Sequence, residues 1–352
     1  MKMTFLQRVE RNVIGRILNA SDARVKRMTE PRWEVDGQPL DRRAQYLFRV
    51  GRIAERSMPS LSPAAARRYY ARLNRVLEAS PPDIGSVSEL RLELRSGQRP
   101  ARAYYPEATD ENDGKLPALL YIHGGGFTIG SIETHDTLCR RICAAAQCVV
   151  VSVDYRLAPE DPFPAAVEDC DDAYRWVMAH ADELGIRVGH IAVGGDSAGG
   201  NLAAVVSALA RDRGGPLPFA QLLIYPGTGT VEHPGRTKAE LQTGYGLDAN
   251  TTTWFFENYM GDADHKDPLA APLHLDTHAG LPPAIVVTAQ FDLLCAEGVE
   301  YADRLRAAGV PVVHQHVPDL PHGFATISVL PRARQAIDNF ATALKQAFRQ
   351  GS

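Results

Sequence analysis

Cysteine is scarce in this chain of 352 residues: there are five, scattered, with no Cys-x-x-Cys pair and no zinc-ligand spacing. Two of them, Cys139 and Cys143, stand one helical turn apart. An odd, dispersed set excludes a disulfide-stapled scaffold and reads as reduced thiols in a cytosolic protein. Excess charge of one sign is also missing. With 38 Lys and Arg against 42 Asp and Glu, the net charge of −4 offers no basic surface for nucleic acid or an anionic membrane. No apolar run approaches the length of a membrane span, so stable membrane insertion is not expected. The opening MKMTFLQRVERNVIGRIL is interrupted by Arg8, Glu10, Arg11 and Arg16, too often for the apolar core of a signal peptide. Its apolar positions Leu6, Val9, Val13, Ile14, Ile17 and Leu18 recur at helical spacing and predict an amphipathic helix. Internal repeats and low-complexity tracts are lacking. What remains is a cytoplasmic globular chain, long enough for one large α/β domain with an accessory lobe, or for two smaller domains.

Against those absences, one alternation is conspicuous. The first eighty residues are Arg-rich and helical in pattern, ending at Ser80-Pro81-Pro82. Two extended segments follow, Val87–Leu94 and Ala101–Tyr105, split by a turn at Ser96-Gly97-Gln98. From Leu116 onward, β-rich runs (ALLYIH, CVVVSVDY, HIAVGG, QLLIYP, AIVVTA, VVHQHVP) alternate with helical stretches such as Pro164–Ala181, Gly199–Arg213, Ala296–Ala308 and Arg332–Phe348. That order predicts a mostly parallel sheet with helices on both faces. Between Pro226 and Leu281 no strand is expected, only a polar excursion with one aromatic helix in LDANTTTWFFENYMG, which suits a lid or second lobe.

Within this frame, IAVGGDSAGGNLAAV (Ile191–Val205) runs from an apolar strand into an alanine-rich helix through five small residues around one serine. An abrupt strand-to-helix turn forces the apical Ser197 into a strained backbone, and brings the two elements too close for side chains at Gly195 and Gly199. Its hydroxyl then projects at a helix N-terminus, whose free N–H groups favour developing negative charge. Asp196, beside it, reads as a structural carboxylate bonding nearby backbone. His123-Gly124-Gly125-Gly126-Phe127 follows the strand ALLYI. Consecutive glycines can turn N–H groups toward a tetrahedral oxyanion without obstruction. Gly125 and Gly126, with the N–H of Ala198, are the expected donors, and Gly124 contributes or shapes the loop. No Lys-Ser or Lys-Thr follows and no Gly-x-Gly-x-x-Gly is present, which disfavours nucleotide binding.

A serine nucleophile needs a base, and the base an orienting carboxylate. The chain order Ser…Asp…His points to Asp292 in AQFDLLCAEG and His322 in DLPHGF, both just past strands whose ends share an edge with Ser197. Asp303 falls within a helix and Asp319 is too near His322, so Asp292 is the better acid. His314 and His316 alternate on a strand with no third metal ligand evident and read as ordinary strand histidines, so no metal site is expected. Trp254, Phe255, Phe256 and Tyr259 either line a pocket or pack the excursion on its base.

HGGGF, DYRLAPE (Asp154–Glu160), FPAAVEDC (Phe163–Cys170), GDSAGGNLAA (Gly195–Ala204) and the terminal HGF together resemble the hormone-sensitive-lipase-like branch of the α/β-hydrolases, and within it bacterial esterases carrying GDSAG. The resemblance implies an α/β-hydrolase fold: an eight-stranded, mostly parallel sheet flanked by helices, with a helical cap. The cap would comprise residues 1–80 and an insertion at about 228–280, and the catalytic domain residues 81–352. It further implies hydrolysis of short- to medium-chain carboxylic esters without a cofactor, with Ser197 as nucleophile, Asp292 as acid, His322 as base, and Gly124, Gly125, Gly126 and Ala198 around the oxyanion. The implied partner is a small-molecule ester; dimers are common in that branch, which leaves a homodimer open. An amidase, peptidase or lactonase with the same triad is the alternative. A non-catalytic receptor, as in the plant gibberellin receptors of the same branch, would require the histidine to be replaced, and His322 is intact. One departure stands out. Where the family reads Asp-Pro-Leu-Arg-Asp-Glu-Gly, this chain reads Asp292-Leu293-Leu294-Cys295-Ala296-Glu297-Gly298, so the surroundings of the acid must be built differently.

Overall fold

Runs such as VVVSV are apolar at every position because a parallel strand covered on both faces has no solvent side. A computed structural model describes Gly15 and residues 20–51, 57–107 and 114–350. The apolar positions Leu6 to Leu18 expected to form an N-terminal helix lie outside the described residues.

The described chain opens with the helix α1 (Asp22–Met28), a two-residue-a-side hairpin β1 (Glu34–Val35) and β2 (Gln38–Pro39), and the helices α2 (Arg42–Gly51) and α3 (Pro63–Leu77). The hairpin corrects the all-helical expectation for this region. Its Asp36-Gly37 turn has φ of 52° and 74°, the positive pair that a tight hairpin needs and that Asp-Gly supplies. Strands β3 (Ser86–Leu94) and β4 (Gly97–Tyr105) pair antiparallel. Their turn is Arg95-Ser96 rather than Ser96-Gly97-Gln98, and Gly97, at φ 97°, opens the second strand.

Then come β5 (Leu116–Ile122), α4 (Ile132–Ala146), β6 (Val149–Val153), α5 (Ala165–Ala179), β7 (Ile186–Asp196), α6 (Ala198–Asp212), β8 (Gln221–Ile224), α7 (Ala249–Met260), β9 (Ala284–Phe291), α8 (Cys295–Ala307), β10 (Val312–Pro321) and α9 (Pro331–Gln350). The sheet has eight strands in the order β10-β9-β8-β7-β5-β6-β4-β3. It is parallel from β10 through to β6 and antiparallel at the β4 and β3 edge. This is the α/β-hydrolase fold.

Alternate strand residues feed two cores. One face buries Leu120, Val151 and Val193 against Val167, Leu202 and Leu305 of α5, α6 and α8. The other buries Leu119, Val150 and Val287 against Ile142 of α4 and Phe340 of α9. Because the parallel strands all point one way, their C-terminal ends share an edge, where an α/β sheet presents its loops to ligands. His123–Gly126, Ser197, Asp292 and His322 follow or end β5, β7, β9 and β10 at that edge. The excursion from Pro226 to Leu281 holds α7 and three single 3-10 turns, with no strand among its residues.

Candidate active site

The bend at Ser197 is as sharp as its small neighbours demand. Ser197 sits at φ 55°, ψ −116°, outside any relaxed region for a residue with a Cβ. Its N–H donates to the Ile224 carbonyl at 2.8 Å, and its own carbonyl accepts from Asn201 at 3.0 Å, so the strained residue is pinned on both sides. A Cβ at Gly195 would lie 2.1 Å from the Ile122 carbonyl oxygen and 2.6 Å from Gly199 C; one at Gly199 would lie 1.9 Å from the same oxygen. The glycines therefore let α6 descend onto the end of β5 as well as onto β7.

The bend aims the Ser197 hydroxyl at His322. Oγ lies 3.0 Å from His322 Nε2, and His322 Nδ1 lies 2.8 Å from Asp292 Oδ2. Asp292 is buried, and its other oxygen accepts the Leu294 N–H at 2.8 Å. Backbone thus steadies the acid where the family sequence has charged neighbours. Glu297, which this chain retains, acts elsewhere. Fully buried, it takes two donors from Arg236 at 2.6 and 2.9 Å and the N–H groups of Thr228 and Gly229 at 2.7 and 3.2 Å. It fastens the start of the excursion to α8.

The glycine loop is oriented by its carbonyls. In a planar trans peptide, C=O and the next N–H point opposite ways. The Gly124 carbonyl is held by His123 Nδ1 at 2.9 Å, and the Gly125 carbonyl by Thr128 N–H at 3.1 Å and Ile129 N–H at 2.9 Å. Each tie fixes the following N–H, of Gly125 and Gly126, on the opposite side. Gly125 and Gly126 have φ of 119° and 55°, and both border the cavity beside Ser197. Ala198 opens α6, where an N–H has no intrahelical acceptor. For Gly124, expected either to contribute a donor or to shape the loop, the structure favours the second. The Gly124 N–H donates to Asp196 Oδ1 at 2.9 Å, so this residue shapes the loop and supplies no oxyanion bond.

Asp196 does more than bond backbone. Oδ1 also accepts from the Tyr121 hydroxyl at 2.7 Å, Oδ2 accepts from Tyr225 at 3.4 Å, and His135 Nε2 lies 3.2 Å away as a close ion pair rather than an aligned hydrogen bond. Burial alone would raise the Asp196 carboxyl; the His135 imidazolium beside it overrides this and holds it well below the usual carboxylate range. Burial likewise opposes charge on His135, and the Asp196 carboxylate lifts it above its ordinary value. His123, stacked on Tyr155, is pushed down to about 3 by burial and by its neighbour His135, so it stays neutral. Sequence reasoning missed His135. The available signal was a polar stripe, Thr134, His135 and Thr137, on the buried side of α4.

The edge opens into a cavity of about 1350 Å³. Its floor includes Gly125, Gly126, Ser197 and His322, and its walls include Leu73 and Leu77 of α3 with Thr251, Phe255 and Phe256 of α7. Of the four aromatics singled out, Phe255 and Phe256 line the cavity, whereas Tyr259 is buried against Phe127 with ring centroids 3.7 Å apart. Trp254 is half-buried against the Phe255 ring. His314 and His316 both bond Thr288 Oγ1, at 2.9 and 3.0 Å. Asp303 pairs with Arg306 and Asp319 with Arg332, away from His322. Among the described residues no group of three or more His, Cys, Asp or Glu is placed to hold a metal ion.

Comparison with known proteins agrees with the fold. Residues 119–326 match the family model described as the alpha/beta hydrolase fold. The chain is 41% identical over 303 residues to the carboxylic ester hydrolase LipN of Mycobacterium tuberculosis, covering 83% of this chain and 79% of the relative. It is 36% identical over 307 residues to ethyl acetate hydrolase of Pseudomonas putida, covering 85% and 96%. An ester hydrolase from the metagenome of Lake Arreo, solved with a derivative of bipyridine phosphonate, superposes with a TM-score of 0.82 at 38% identity, covering 88% of this chain and 97% of that one.

Proposed function

The chain belongs to the α/β-hydrolase family, in its hormone-sensitive-lipase-like branch, and on that footing we propose that it is a carboxylesterase acting on short- to medium-chain carboxylic esters. The observation that carries the reading is the unbroken relay from Asp292 through His322 to Ser197, with the hydroxyl facing an apolar-walled cavity beside Gly125, Gly126 and Ala198.

Ser197 Oγ attacks the ester carbonyl carbon while His322 Nε2 takes the hydroxyl proton. The carbonyl oxygen becomes an oxyanion and receives the N–H groups of Gly125, Gly126 and Ala198. Asp292 holds the imidazole in the tautomer whose Nε2 is free to accept, and stabilises the imidazolium that forms. Collapse of the intermediate breaks the bond to the alcohol oxygen, which leaves with the proton from His322. Water then attacks the acyl-enzyme, its proton going to His322, and the acid is released as Ser197 regains its hydrogen.

Residues 1–80 and about 228–280 act as a cap over the catalytic domain at 81–352, a reading supported by the cavity walls that α3 and α7 supply. The same donors could serve an amide or a lactone; the similarity to a carboxylic ester hydrolase and an ethyl acetate hydrolase favours esters. A cytoplasmic location is supported by five unpaired cysteines, four of them buried. Among the described residues no helix is long and apolar enough to cross a membrane.

Turnover of p-nitrophenyl esters by the wild type and by Ser197→Ala tests the proposal. The variant should lose roughly a millionfold in kcat and resist labelling by a fluorophosphonate. Hydrolysis by the variant near the wild-type rate would end this mechanism.

A further inference from the structure

We infer that Arg67, on α3, is a positioning residue for the oxyanion donors: it grips the carbonyl of Thr128 and so fixes the glycine loop from outside the sheet. The inference rests on the ester-hydrolase reading.

The guanidinium of Arg67 spends its donors on two loops at once. Nε donates to the Thr128 carbonyl at 2.8 Å and Nη2 to the Ala158 carbonyl at 2.8 Å. Nη1 and Nη2 also clasp the two Glu160 oxygens at 2.9 and 2.6 Å. The planar fork matches this set, which a lysine ammonium could satisfy only in part. The two loops are already joined beneath it, since Ala158 N–H donates to the Phe127 carbonyl at 2.9 Å.

Thr128 is the residue through which this grip reaches the chemistry. Fully buried, it donates its N–H to the Gly125 carbonyl at 3.1 Å and its hydroxyl to the Gly126 carbonyl at 3.1 Å. The first bond sets the peptide plane whose other end is the Gly126 N–H. Were Thr128 to shift, that plane would keep only the Ile129 N–H at 2.9 Å, the Gly126 carbonyl would lose its hydroxyl donor, and Gly126 at φ 55° has no Cβ to restrain it. Arg67 closes the remaining side of Thr128, and α3 also forms a cavity wall. Substrate packed against that wall therefore presses on the element that holds the donors.

An oxyanion donor contributes about a hundredfold to a thousandfold in kcat when removed outright, and a misplacement of about 1 Å can cost a hundredfold. Arg67→Lys and Arg67→Ala, assayed on p-nitrophenyl butyrate, should lower kcat roughly tenfold to a hundredfold with KM within about threefold. Affinity for a trifluoromethyl ketone, which forms a tetrahedral oxyanion adduct on the serine, should fall by the same factor. Added guanidinium ion should restore part of the rate of Arg67→Ala and leave the wild type unchanged. A variant with wild-type kcat, a rise in KM alone, or unaltered ketone affinity would overturn the inference. If Arg67→Ala does not fold, the kcat and ketone measurements on Arg67→Lys decide. A wild type without ester turnover sinks the functional reading as well; an active wild type matched by Arg67→Lys sinks only this inference.

Discussion

Replacing Asp196 by Asn removes one charge and almost no volume, which makes it a clean probe of the pair behind the nucleophile. The Asn oxygen can keep the Tyr121 hydroxyl and the Gly124 N–H, now at 2.7 and 2.9 Å, and its amide can face the Tyr225 hydroxyl. What it cannot keep is the charge 3.2 Å from His135. Breaking a buried pair by removing one member costs about 3–5 kcal/mol. His135 can shed its proton and recover part of that, so the lower end, about 3 kcal/mol, is the expectation, or a fall in Tm of roughly 4 °C for a chain of this length. The dependence on pH carries the stricter test. Asp196 is depressed in the folded state, so its share is present above about pH 4 and lost as pH falls through the folded value. His135 is raised, so its share is complete below about pH 6.5 and lost as pH rises through the folded value. The gap in Tm between wild type and Asp196→Asn should thus be widest between about pH 4 and 6.5 and narrow toward pH 9. His123, kept neutral in the folded state, costs stability below about pH 6.5, where the unfolded chain takes up a proton that the buried ring refuses, but it does so in both proteins and drops out of the gap; Tyr121, pushed up by burial, does not titrate in that window. Thermal unfolding followed by fluorescence across pH 4–9 reads this directly. A gap that is constant, or that widens in alkali, would refute the ion-pair account.

Two further substitutions probe neighbouring links. Asp292→Asn should fold normally, because the Leu294 N–H still finds an oxygen, yet lose about ten-thousandfold in kcat by presenting an amide to His322 Nδ1 and favouring the wrong tautomer; steady-state kinetics showing less than a tenfold loss would remove Asp292 from the relay. Arg236→Met leaves Glu297 buried without its cation and should destabilise the protein by about 3–5 kcal/mol, read by urea unfolding; an unchanged midpoint would mean that the excursion is not anchored through that pair.

Much of this site was written locally. Gly195 and Gly199 announce a backbone approach that no side chain permits, and the order Ser, Asp, His, each just past the end of a strand, places three groups on one edge. Parallel strands make that inference robust, since residues just past their C-terminal ends must share that edge. The role of Gly124 was not legible, because whether an N–H faces the cavity or Asp196 depends on a peptide plane set by His123 and Asp196 together. The hairpin at Asp36-Gly37 was legible in its turn residues and was obscured by the helical pattern on either side.

His135, Arg67 and Arg236 form the opposite case. Each partner lies far along the chain: His135 meets Asp196, Arg67 meets Thr128 and Ala158, and Arg236 meets Glu297. By itself the sequence determined the strand and helix periods, the bend at Ser197 and the three residues of the relay, because those follow from spacing and from sterics within a few residues. Only the tertiary structure decided which buried charges neutralise one another and which N–H groups stay free for substrate, because both depend on elements that meet only once the sheet has closed.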